Sequence, residues 1–164
     1  MDHSSASLLI YLCVAFIAVL AARWIRAQRG TSVDPESAEW RAAVLKAQSS
    51  VGSLSQLLAE RQAPLIKFAL RDKRGEAEHV WGDLKALTTT HFTALLATPL
   101  LDGSALAGST HCLPVEQLED WQVELPDGRI RGGFTTQLEI SAARRARRPI
   151  PRHIAAMEGR FVDA

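Results

Sequence analysis

In the stretch AEHVWGDL, from Ala77 to Leu84, a histidine, a tryptophan and an aspartate stand at alternate positions: His79, Trp81 and Asp83. Alternate residues of a β-strand point to one side, so on a strand these three make a row of imidazole, indole and carboxylate, with Glu78, Val80, Gly82 and Leu84 on the other side. An indole offers a stacking platform and the two polar groups offer anchors, which is the chemistry of a ligand-binding face. Glu78 and His79, although adjacent, point apart on a strand and are poor partners for local acid–base chemistry. Trp121 has two readings: it extends the aromatic surface of Trp81, with Gly132 and Gly133 admitting a partner's backbone, or it packs inside while Asp120 hydrogen-bonds a turn.

A second constellation is spread along the chain. His91, His111 and Cys112 could join His79 as ligands of a metal if neighbouring strands converge, or Cys112 could act as a thiolate with a histidine base. That would make the protein a small hydrolase or a metal-dependent enzyme using His79, His111 and Cys112. The local spacing supports neither, because a helical zinc motif needs two histidines four residues apart and a reactive thiol needs a lowered pKa. No catalytic residue, metal ligand or cofactor motif is assigned, and a non-catalytic binding or interaction role is expected.

Charge divides the chain into three parts. Residues 30–143 carry 10 Lys and Arg against 15 Asp and Glu, net −5, whereas residues 1–29 carry +2 and residues 144–164 carry +4. An acidic body disfavours a nucleic-acid face, which needs clustered Lys and Arg to neutralise phosphates. Arg144, Arg145, Arg147 and Arg148 are candidates for contact with anionic lipid headgroups, with RNA as a weaker alternative. Of the two cysteines, Cys13 lies in the apolar N-terminal run, so the body holds only Cys112 and no internal disulfide.

That N-terminal run, Ser4 to Ala22, has no charge, and as a helix it spans about 28 Å, close to a hydrocarbon core of about 30 Å. A single transmembrane helix over residues 4–25 is expected. Its leading residues MDHSS lack the positive charge of a signal peptide, although a cleaved signal, with a periplasmic or secreted product, is the rival reading. Arg23, Arg26 and Arg29 follow the run and predict a cytoplasmic C-terminal domain, with Trp24 at the membrane interface.

The elements that must position the candidate residues follow from periodicity. Residues 26–34 read as a linker, with Asp34 as helix cap and Pro35 as first helical residue. Trp40, Val44, Ala47, Val51, Leu54 and Leu58 recur at spacings of four and three, predicting one amphipathic helix that ends before Pro64. Their stripe faces the core of the same domain or, alternatively, a second copy of the chain. Ile66, Phe68 and Leu70 then alternate with Lys67, Ala69 and Arg71 in a half-buried strand, followed by strands over 78–87, 92–97 and THCLPV. EQLEDW reads as a helical turn. WQVELPDGRIRGGFTTQLEI reads as a hairpin turning at Asp127 and Gly128, with a bulge at Gly132 and Gly133. The last residues read as an extended basic arm with a short helix from about Arg152 to Phe161. The expected fold class is α+β: an amphipathic helix on a mostly antiparallel sheet or partly open barrel.

The ordered set Lys67, EHVW at Glu78 to Trp81, Pro99, Gly108, Asp120–Trp121 and GGFTT at Gly132 to Thr136 resembles the YegJ-like bacterial domain family of unknown function. The resemblance covers roughly Ala47 to Ile140. It implies a small α+β domain, expected over residues 35–143, and brings no activity and no catalytic residue; the charge pattern makes residues 144–164 a basic tail. Where that family has an Ala-Arg pair in its helix, this chain has Ala47 and Gln48. The expected whole is a single-pass protein of the bacterial inner membrane, with the lipid bilayer and a protein partner or second copy as its partners.

Overall fold

The chain's structure, a computed structural model, describes residues 33–60 and 62–162. The apolar run at 4–25 and most of the linker lie outside the described residues. Among the described residues no helix is long and apolar enough to cross a membrane.

Helix α1, Ala38–Ser49, starts three residues later than Pro35. The capping residue is Ser37, whose hydroxyl accepts the Trp40 amide at 3.1 Å. Asp34 instead closes the preceding turn, its carboxylate accepting the Glu36 amide and its carbonyl the Ser37 amide. A cap works by taking an orphan N–H of the first turn, and Ser37 is the residue within reach. The expected single helix is also interrupted. Ser50 turns its hydroxyl back onto the carbonyls of Lys46 and Ala47 and accepts the Trp121 indole N–H at 2.9 Å. Such back-bonding competes with the helical ladder, and a second helix, α2, Gly52–Ala59, begins after Val51. The stripe holds across the break, with Trp40, Ala47 and Leu54 buried in the domain's own interior and Leu57 joining them. The buried part of the stripe therefore faces the core of the same domain, while Val44, Val51 and Leu58 are half-buried.

Seven strands follow: β1 Leu65–Arg71, β2 Ala77–Leu87, β3 His91–Leu96, β4 Thr110–Pro114, β5 Leu118–Glu124, β6 Ile130–Gly132 and β7 Phe161–Val162. They form one open sheet in the order β4-β3-β2-β1-β5-β6-β7. All neighbours are antiparallel except β6 and β7. One face is apolar: Ile66, Phe68, Val80, Leu84, Phe92, Ala94, Trp121 and Val123 pack with Ala47, Leu54 and Leu57. Gly82 sits in β2 where a Cβ would come within 2.7 Å of the Leu95 carbonyl and 3.1 Å of the Phe68 ring, so a side chain there would push β2 and β3 apart.

Three sequence expectations change. Of EQLEDW only Glu116 and Gln117 coil, in a single 3-10 turn, Val115–Gln117, and Leu118 onward is the interior strand β5. Pairing with β1 on one side and β6 on the other overrides the local helical signal. The GGFTT segment does not continue the return strand: it opens helix α3, Phe134–Arg145. Gly132 and Gly133 both have positive φ, which ends β6 and turns the chain into the helix, and a Cβ on Gly132 would collide with the Trp121 carbonyl. The described part of the expected extended arm, residues 144–162, is folded onto the domain: Arg144 and Arg145 complete α3, the expected short helix, α4, spans Arg152–Ala155, and β7 adds the last strand.

Candidate functional site

His79, Trp81 and Asp83 do share a face of β2. Their partners across the register in β1 are Ala69, Lys67 and Leu65, and Lys67 in turn lies opposite Asp120 of β5. Lys67 is therefore the centre of this face, and it is only 4% exposed although β1 alternation predicted a solvated lysine. Its ammonium is held from several sides: Nζ donates to Glu139 at 2.9 Å and to Thr135 at 3.4 Å. It also lies 4.6 Å from the centroid of the Trp40 ring and 5.9 Å from that of Trp81. A buried ammonium requires such compensation, from a carboxylate, a hydroxyl and the negative faces of indoles.

Asp120, fully buried beside Lys67, ends the other side of the cluster. Its carboxylate accepts the amides of Trp121, Phe134 and Thr135 at 2.8, 3.0 and 2.7 Å, and the Thr135 hydroxyl at 2.6 Å. Gly133 has no side chain to cap α3, so Asp120 supplies the cap from a neighbouring strand, at the positive end of the helix dipole. Burial pushes the Asp120 carboxyl above its ordinary range, against the opposing pull of the Thr135 hydroxyl, the Thr135 and Trp121 amides and the Lys67 charge.

The expected row is thus split into three environments. Trp81 lines the buried cluster. His79, about a quarter exposed, pairs through Nδ1 with Glu119 at 2.8 Å and meets the Trp40 ring nearly edge-on at 5.5 Å. Asp83 is half exposed and faces Lys85 at 3.6 Å. Trp121 does not extend the surface of Trp81. It is wholly buried on the opposite, apolar face, donating from Nε1 to Ser50 and Ala47 and meeting Phe134 edge-on. Gly132 and Gly133 are packed against Trp121 and Phe161 and leave no room for a foreign backbone.

The dispersed constellation does not assemble. His111 lies on the apolar side, its ring 6.2 Å from Phe68 and its Nε2 2.8 Å from the Ser109 hydroxyl. Cys112, exposed, follows it in β4 and points the other way. Through Thr93, Cys112 lines up with Ala86 in β2, roughly 20 Å along the strand from His79. Among the described residues no three His, Cys, Asp or Glu side chains converge to hold a metal ion.

The four arginines are partly used by the fold. Arg144 pairs with Glu158, which raises the arginine's pKa and lowers that of the glutamate. Arg145 reaches Glu39 in the first turn of α1 at 3.3 Å. Arg147 and Arg148 are exposed and make no ion pair among the described residues.

Sequence reasoning missed Glu119, Glu139 and Trp40 as members of this region, and nothing local marks the two glutamates. Lys67, Trp81, Asp120 and Thr135 all belong to the ordered set quoted above, and they meet at one place. Gln48, the departure from that set, donates to the carbonyls of Glu116 and Leu118 and ties α1 to the start of β5. Comparison of the chain with protein-family models, with curated proteins and with solved structures finds no match.

Proposed function

We propose that the protein is a membrane-anchored, non-catalytic interaction module whose arginine-rich corner lies against an anionic leaflet, and that its kinship is with the YegJ-like domains. The observation that carries this reading is the Arg145–Glu39 contact. It brings the C-terminal end of α3 beside the first turn of α1, where the chain enters the domain. With a membrane helix ending near residue 25, residues 26–34 reach at most about 30 Å even when fully extended. The arginines are thereby kept close to the bilayer on which the helix is anchored. Arg147 and Arg148 remain to meet lipid phosphates, each contributing about 1 kcal/mol near an anionic surface. The polar groups of Lys67, Glu139, Thr135 and Asp120 satisfy one another and have the character of a structural hub, which supports a binding role over a catalytic one.

Vesicle flotation of the fragment beginning at Val33 tests the lipid contact. It is expected to float with vesicles containing anionic lipid, to stay behind with purely zwitterionic vesicles, and to lose flotation in R147E/R148E. Equal behaviour on both vesicle types would overturn the reading.

A further inference from the structure

Beyond its last partners in β5, strand β1 runs on from Ala69 to Arg71 with only β2 beside it. The direction of its free backbone groups follows from one hydrogen bond. The Leu84 amide donates to the Pro64 carbonyl at 3.0 Å, one residue outside the Leu65–Asp83 pair. Hydrogen bonding alternates along an antiparallel pair, so the even-numbered residues of β1 bond to β2 and the odd-numbered ones direct N–H and C=O to the opposite side. The Asp72 amide, donating to the Glu76 carbonyl at 2.9 Å, keeps the same parity. At Ala69 and Arg71 no described strand meets these groups, and an open edge of this kind is a template for another strand.

The edge opens into a groove of about 800 Å³ walled by Trp40, Val44 and Leu45 of α1. Leu45 is 65% exposed although it borders an apolar wall. The rim carries both signs: Glu36 and Glu116 against Arg41 and Arg71. None of these four makes an ion pair among the described residues, and Arg71 is bound only to the Gly75 carbonyl. The fifth charge, Glu119, is taken by His79. A segment of one sign would be repelled by half of this rim. A second copy of the same surface, turned by a two-fold axis, presents an equal number of charges of each sign and can set each cation against a carboxylate.

We propose that this groove and the β1 edge form a two-fold interface between two copies of the chain, joining their sheets through β1. Parity requires odd residues to face odd residues, and the one such register that engages both free residues of each copy sets Ala69 opposite the partner's Arg71. Ala69 exchanges both backbone hydrogen bonds with the partner's Arg71, and Leu70 lies on the axis opposite its own counterpart. Residues facing each other in such a non-hydrogen-bonded pair have Cα atoms about 4.5 Å apart, within the range a disulfide spans. The proposal stands on the sheet edge and the rim, independently of the membrane anchor.

The test is cysteine cross-linking of the full chain in its native membrane, with Cys13 and Cys112 replaced by serine. L70C is expected to give a covalent dimer on oxidation, and L106C, on the exposed loop before β4, is expected to give none. R71P deletes the outward N–H together with the Arg71 rim charge and its bond to Gly75, and is expected to abolish dimerisation when combined with L70C. Sedimentation of the unmodified chain in detergent is expected to give a dimer. A monomer there, together with no L70C product, overturns the proposal and opens the groove to an extended segment of another protein. Equal cross-linking of L70C and L106C overturns it as well, since that marks random collision.

Discussion

Asp120 ties β5 to the first turn of α3 and lies opposite Lys67. D120A strips partners from two backbone amides of α3 and from a buried hydroxyl, and it leaves Lys67 with Glu139 as its carboxylate. A loss of about 3 kcal/mol is expected, read as a lowered urea midpoint with unchanged slope. D120N keeps one acceptor and is expected to lose less. Because burial raises the carboxyl's pKa in the fold, below the ordinary aspartate value of 3.8 Asp120 is protonated in both states, and its stabilising contribution is complete there. As pH rises through the higher folded value that contribution is lost, so D120N is expected to flatten this part of the stability–pH curve. Asp102 behaves in the opposite sense. The Ser104 hydroxyl, with the amides of Lys73 and Ser104, holds it down to about 2, so its contribution is present above 3.8 and lost as pH falls through about 2. Carboxyl NMR is expected to find Asp102 titrating near that value and moving upward in S104A.

Among the elements, α3 carries the greatest consequence. It covers Lys67 and Asp120 from one end and presents the arginines from the other. Its C-terminus closes through Arg147, which takes a left-handed conformation with φ of 51°, while the Arg148 amide returns to the Ala143 carbonyl at 2.9 Å. Glycine is the residue this cap favours, because a Cβ there is strained. R147G is expected to raise the stability of the domain by about 1 kcal/mol, measured by thermal or urea unfolding. The same substitution removes one of the two arginines of this corner that make no ion pair among the described residues. Stability and lipid affinity should therefore move in opposite directions, which separates a lipid contact from a merely structural role for this corner.

For the whole molecule the proposed membrane anchor makes the side on which the domain stands the decisive question. On that proposal the arginines after the apolar run predict the cytoplasmic side. In intact spheroplasts the C-terminal domain is expected to resist added protease and to be digested only after the membrane is opened. Digestion from outside would reverse the topology and remove the argument for an anionic cytoplasmic leaflet. The open sheet leaves two formal edge strands, β4 and β7, and one interior strand, β1, that outruns its neighbour. Assembly belongs to this scale because neither the α1 stripe nor any single strand indicates it.

The alternation around Ile66 and Phe68, the row at His79, Trp81 and Asp83, the turn at Asp127 and Gly128 and the stripe from Trp40 to Leu58 were all legible in the sequence. Each is a local regularity, set by the period of a strand or helix or by the demands of a tight turn. The sequence also allowed Asp120 to hydrogen-bond a turn and Trp121 to pack. It did not show α3, because the GGFTT segment follows a β signal and its helix is capped from β5, fourteen or fifteen residues earlier in the chain. Lys67 looked solvated because alternation tells which residues share a side but not what covers that side. Its cover comes from Glu139 and Trp40, and the separation of His79 from His111 comes from the strand register. Those are decisions of tertiary structure, since the energy of a buried charge depends on partners brought together only when distant elements pack.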